Sequence, residues 1–160
     1  VCSSDLMAFA RDCGVRAVLV SPMLVGLPAF HELVRESEGV AVLAHPALGG
    51  VARVEPPALL GTLFRAYGAD AVIYPHHGGR FGYSPDTCRE IADRLRGANH
   101  GLAASLPVPA GGMSVERVPE LLAFYGSDTL LLIGGSLYQA GERLLERSRE
   151  FVLAVARESV

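Results

Sequence analysis

Lysine is absent from this 160-residue chain: all fourteen basic residues are arginine. Schiff-base chemistry, a Walker-type phosphate lysine and a carbamylated lysine are therefore excluded within this stretch. Tryptophan is also absent, and aromatic residues make up only 7% of the chain. No apolar run approaches the ~20 residues that a bilayer span needs, so no membrane partner is expected. A formal net charge of −3, with no basic stripe, argues against nucleic acid as a partner. The three cysteines, Cys2, Cys13 and Cys88, are odd in number and widely spaced. That usage fits reduced cytoplasmic thiols rather than a disulfide framework or a metal knuckle. Neither Gly-x-Ser-x-Gly nor Gly-x-Gly-x-x-Gly occurs, which removes the nucleophile elbow and the dinucleotide fingerprint.

Half of the residues are hydrophobic, and they fall in short runs that read as buried strands. Five such runs stand out: Arg16–Ser21, Val40–Ala44, Ala71–Tyr74, Leu106–Pro109 and Thr129–Ile133. Each is followed by a helical pattern, near Pro28–Arg35, Pro56–Tyr67, Ser84–Arg96, Ser114–Tyr125 and Gly141–Glu158. Apolar, weakly alternating strands separated by helices predict parallel strands buried on both faces. Ser84-Pro85-Asp86 supplies an N-cap with proline at the first helical position. Gly68, Gly97 and Gly126 stand where helices should stop. Two α/β architectures fit this count. One is a partial (β/α)8 TIM barrel of about five units; the other is a doubly wound, five-stranded parallel sheet.

In both, chemistry belongs to the loops after the strands' C-terminal ends. Four of the five loops contain a Gly-Gly pair: Gly49-Gly50, Gly78-Gly79, Gly111-Gly112 and Gly134-Gly135. Glycine there lets backbone N–H groups approach an anion at the start of a helix. A simple tight turn would use the same residues, but four pairs at one topological position favour an anion such as phosphate. His45 ends the second run, where an imidazole can serve as acid, base or polar contact. His76 and His77 precede Arg80 in a glycine-rich loop that could close over a ligand. His31 and His100 read as solvated. No Asp or Glu stands at a strand end to complete a metal site.

Val1-Cys2-Ser3-Ser4-Asp5-Leu6 has neither the charge nor the apolar stretch of a signal peptide. Residues 1–6 are expected to be a non-native leader, and residues 7–160 a fragment whose N-terminal part is missing. Five strands without the rest of a barrel would leave long parallel edges open, so this stretch alone is expected to be poorly stable.

Leu106-Pro-Val-Pro-Ala-Gly-Gly-Met-Ser, then Val118-Pro119-Glu120-Leu121, then Leu132-Ile-Gly-Gly-Ser resembles the end of the RuBisCO large-chain barrel. The histidine pattern at His45 is similar to that family's strand-five histidine. The resemblance covers Met7–Val160 as strands four to eight. Its departures point to the non-carboxylating, RuBisCO-like branch. There is no Lys in the loop after the third run, Pro46 stands where the carboxylases have Arg, and Ala110 replaces their strand-seven Ser. The resemblance implies Mg²⁺-dependent enolase, isomerase or decarboxylase chemistry on a ketose phosphate, with metal ligands upstream. The named possibilities are methylthioribulose phosphate, diketo-methylthiopentyl phosphate or an oxo-apionate phosphate. It also implies phosphate held by Gly111, Gly112, Gly134 and Gly135, His45 as a substrate contact or proton-transfer group, and Arg80 as a loop cation. A cytoplasmic homodimer is implied for the full-length form. The alternative is a complete small α/β domain that binds phosphate or a nucleotide.

Overall fold

Every apolar run but the last becomes a strand in the computed structural model, which describes residues 3–79, 82–98 and 101–158. The elements are α1 (Ser3–Asp12), β1 (Ala17–Val20), α2 (Pro22–Val25), α3 (Leu27–Arg35), β2 (Ala41–Ala44) and α4 (Phe64–Ala66). They continue with β3 (Ala71–Pro75), α5 (Pro85–Arg96), β4 (Leu106–Ala110), α6 (Val118–Tyr125), α7 (Gly135–Tyr138) and α8 (Leu144–Glu158). The strands form one parallel sheet in the order β1-β2-β3-β4. No strand order is reversed, so this is a piece of a barrel wall rather than the doubly wound alternative.

By contacts the chain divides into two units, Val1–Tyr74 with Glu90–Pro107, and Pro75–Arg89 with Val108–Val160. In the first, Ala17 to Val20 pair in register with Ala41 to Ala44, and Leu43 pairs with Ala71. Asp70 adds a rung to this ladder. Its amide donates to Val42 O at 3.0 Å, and its carboxylate accepts from Val42 N at 2.7 Å. Val42, Ala44, Val72 and Ile73 are buried between helices that contribute Phe30, Leu60, Phe64, Ile91 and Leu95. Burial on both faces is what continuous apolar strands require. β1, at the sheet's edge, departs from this: Val18 and Val20 are half-buried and Leu19 is 57% exposed.

The segment before α4, Pro57–Leu63, winds as a π-helix. Gly61 lies in it, and a Cβ there would stand 2.9 Å from Arg94 Cβ on α5, so glycine permits close helix contact. Arg65, in α4, is buried. Its guanidinium donates to Arg94 O at 2.6 Å, Ala103 O at 2.7 Å and Leu102 O at 2.9 Å.

In the second unit the fifth apolar run does not form a strand. Thr129–Ile133 makes one parallel bridge, Leu132 to Ala110, and Leu130 and Leu132 remain exposed. Leu131 packs with Ile133 against Val118, Leu122 and Phe151, which join α6 to α8. Ser84 accepts from Thr87 N at 3.2 Å as the expected N-cap of α5. Gly126, at φ +80°, ends α6. Gly97 has no positive φ, so the end of α5 is not a left-handed cap.

Candidate functional site

The turns after β4 and after the 131–133 run line one cavity of about 660 Å³ in the second unit. Gly111 and Gly112 contribute from one side, Gly134 and Gly135 from the other, with Met113 and Gln139 completing the lining. Gly111 (φ +92°) and Gly112 (φ +68°) occupy the left-handed region that glycine alone enters freely. Ser136 Oγ donates to Met113 O at 2.8 Å and ties the two turns together. Among the described residues, no backbone carbonyl accepts from the amides of Gly112, Met113 or Gly134, whereas the Gly111 amide faces Leu132 in the bridge from Ala110. Unclaimed amides on glycine turns are the donors by which backbone holds an anion.

His76 is not on an open loop, as its sequence position suggested. Its amide donates to Ala110 O at 2.8 Å, extending the strand pairing, and its ring is 0% exposed. Arg117 Nη2 stands 3.1 Å from His76 Nε2, and Tyr125 Oη stands 2.8 Å from Nδ1. Arginine can only donate, so Nε2 accepts and Nδ1 carries the proton to the tyrosine oxygen. Burial first, then His77 and Arg117, push the His76 pKa down from 6.5 to about 4, with Glu120 opposing.

An unfolded chain takes up a proton near pH 6.5 that the folded one refuses until about 4. This contribution is complete above 6.5 and is lost as pH falls to about 4, amounting to ~3 kcal/mol. Denaturant unfolding at pH 7.5 and pH 4.5 is expected to show that loss, and His76→Gln should flatten it. An equal pH dependence in both proteins would refute it.

His77 is half-buried, with its ring centre 4.0 Å from that of His76 and 4.5 Å from Phe124, edge-on. Its Nε2 is buried and has no hydrogen-bond partner among the described residues. Arg89 covers Phe124 at 4.3 Å. Cys88 is buried, its Sγ lies 3.6 Å from Pro75 O, and burial raises its pKa. Arg80 and His100 lie outside the described residues. His31 is exposed, as expected.

His45 belongs to the first unit. It is half-buried at the end of β2, and its Nδ1 accepts from Ala47 N at 3.1 Å. The neutral ring therefore carries its proton at Nε2. Leu48 follows at φ +59°, the one non-glycine residue with positive φ among those described. Strain of this kind gathers at functional loops. Among the described residues, no group of three or more His, Cys, Asp or Glu could hold a metal ion. The ligands of the Mg²⁺ that the resemblance implies were expected upstream of this stretch, and none is assigned to the described residues.

Arg117 had no assigned role in the sequence. Its signal was a cation at the N-cap of α6, where the helix dipole disfavours positive charge, with Glu120 three residues on.

No protein-family profile matches the chain. Individual relatives do. The Rhodopseudomonas palustris protein named ribulose bisphosphate carboxylase-like protein 1 is 55% identical over 146 residues, 91% of this chain and 40% of that one. The crystal structure of the Rubisco-like protein from the same species superposes with a TM-score of 0.86 at 47% identity, covering 94% of this chain and 40% of that one. The chain belongs to the RuBisCO-like proteins. Another relative, the 5-methylthioribulose-1-phosphate isomerase of Rhodospirillum rubrum, is 55% identical over 145 residues, 91% of this chain and 39% of that one. The 2,3-diketo-5-methylthiopentyl-1-phosphate enolase of Geobacillus kaustophilus is 30% identical over 154 residues, 91% of this chain and 37% of that one. The chain thus spans about 40% of the length of these relatives.

Proposed function

We propose that the whole protein is a RuBisCO-like isomerase or enolase acting on a methylthio-ketose phosphate, with the phosphate on Gly111, Gly112, Gly134 and Gly135. The observation that carries this reading is one cavity framed by two glycine turns in which no backbone carbonyl claims the amides of Gly112, Met113 or Gly134. The 55% identity to a 5-methylthioribulose-1-phosphate isomerase favours isomerisation over the enolase reaction, whose relative is 30% identical.

A phosphate held by backbone dipoles fixes the sugar while a proton leaves the carbon beside the carbonyl. His45 is the proposed proton-transfer group, because its Nε2–H is left free by the Ala47 bond. His77, with an unpartnered Nε2, is a proposed polar contact, and Arg80 remains the expected loop cation. His76 is withdrawn from substrate contact, since both ring nitrogens are engaged. Mg²⁺ stays part of the proposal, with ligands outside the described residues; no step is routed through it. No described helix is long and apolar enough to cross a membrane. A cytoplasmic homodimer completes the reading.

The test is to incubate the whole protein in D2O with 5-methylthioribulose 1-phosphate and, separately, with the diketo-methylthiopentyl phosphate, following both by NMR. Conversion of the first with deuterium entering beside the carbonyl is expected. Failure to convert or deuterate either compound would remove the proposal. CO₂ fixation on ribulose bisphosphate is expected to be absent, because the loop after β3 has no Lys and Pro46 follows His45. Labelled bicarbonate checks this, and measurable incorporation would contradict it.

A further inference from the structure

The turns after β3 and β4 meet backbone against backbone. A Cβ on Gly79 would stand 3.1 Å from Gly111 C and O, and one on Gly112 would stand 3.0 Å from Gly78 O. Turns so close, carrying left-handed residues and unclaimed amides, need a support from elsewhere in the chain. Arg117 provides it. Its Nη1 donates to Gly112 O at 2.9 Å, and its Nη2 donates to His76 Nε2 at 3.1 Å. Nε and Nη2 grip the Glu120 carboxylate at 3.2 and 3.0 Å.

We propose that Arg117 is a positioning residue for the anion site: held by Glu120 and His76, it fixes the Gly111–Gly112 turn in the conformation that keeps the Gly112 and Met113 amides available to a phosphate. This rests on the phosphate reading above and extends it to a side chain that does not itself line the cavity. The planar fork explains why arginine is needed. One guanidinium reaches a carboxylate, an imidazole nitrogen and a carbonyl in separate directions, which an ammonium at one point does not reproduce. It also explains why a histidine is buried at this strand end, serving as an acceptor locked by Tyr125. The charge balance is local: Glu120 offsets Arg117, while His77, and Cys88 behind Tyr125, are the other titratable groups facing this cluster.

The experiment titrates inorganic phosphate into the whole protein by ³¹P NMR and measures steady-state kinetics on the phosphorylated substrate. Arg117→Lys is expected to weaken phosphate binding and raise KM in parallel, each ~10-fold or more, with kcat within ~3-fold. A merely structural arginine would lower kcat and thermal stability but leave the phosphate Kd in place. A folded Arg117→Lys with unchanged Kd and KM overturns the proposal. Should that variant not fold, Glu120→Gln keeps the guanidinium and removes its charged clamp. It is expected to weaken phosphate ~3-fold, and no change there overturns the proposal equally. Gly112→Ala separates the two readings. If it weakens phosphate while Arg117→Lys does not, only the positioning role falls. If neither substitution changes phosphate binding, the anion site falls with it.

Discussion

Gly112→Val is expected to raise KM for a phosphorylated substrate by ~100-fold, with a smaller effect on kcat. Two independent strains act at this residue. Its φ of +68° lies where a β-branched side chain is disfavoured, at a cost of ~1–3 kcal/mol. In addition, the new Cβ would press on Gly78 O at 3.0 Å and Gly79 Cα at 3.2 Å. Both are backbone atoms of a neighbouring turn, so neither can swing aside as a side-chain tip would. The turn must rotate instead, and rotation re-aims the amides of Gly112 and Met113. The phosphate is remote from the reacting carbon, so the loss should fall mainly on binding. Steady-state kinetics on the folded variant decides it, and a KM within ~3-fold of the parent would refute the placement of the phosphate.

The second large effect is on stability. Arg65→Met is expected to lose ~3 kcal/mol, seen as a lower urea midpoint at unchanged m-value. Methionine fills much of the arginine stem's volume, so the change isolates the guanidinium. Without it, the carbonyls of Arg94, Leu102 and Ala103 lose their donor, at ~1–3 kcal/mol for each that stays dry. Removing a buried charge returns part of that sum by relieving its desolvation. A loss below ~1 kcal/mol would mean that water takes over the three carbonyls.

Legibility in the sequence followed the range of the interaction. Strands β1 to β4 were readable to within a residue or two, because their apolar runs are set by local composition. Ser84-Pro85 and Gly126 marked helix ends by their own backbone preferences. Thr129–Ile133 carried the same composition and yet forms one bridge. An apolar run becomes a strand only where its backbone groups pair along a neighbouring strand, and here the pairing with β4 is the one bridge at Leu132. The four-residue helices Pro22–Val25 and Gly135–Tyr138 are too short to show a period. At the site, the glycine pairs were legible because four of them recur at one topological position. The burial of His76 was not. Its partners Arg117 and Tyr125 lie 41 and 49 residues away in sequence, and no local pattern joins them. Arg117 broke a local rule by placing a cation at a helix start, which is the kind of conflict that marks a residue kept for another purpose.

The sheet's strand order bears on how the chain acquires its structure during synthesis. Ala17 pairs with Ala41, Leu43 with Ala71, and Ala110 with Leu132, so these partners lie within about 30 residues of each other along the chain. Each strand can dock on its predecessor soon after it leaves the ribosome, without waiting for a distant segment. At ~5–20 residues per second, one β/α unit emerges every few seconds, far longer than a helix or a short loop needs to form. Assembly from β1 toward β4 is therefore open to the chain as a vectorial process. Its growing front is always a fresh parallel edge, with Leu19 and then Leu43 among the first apolar side chains that a chaperone would meet.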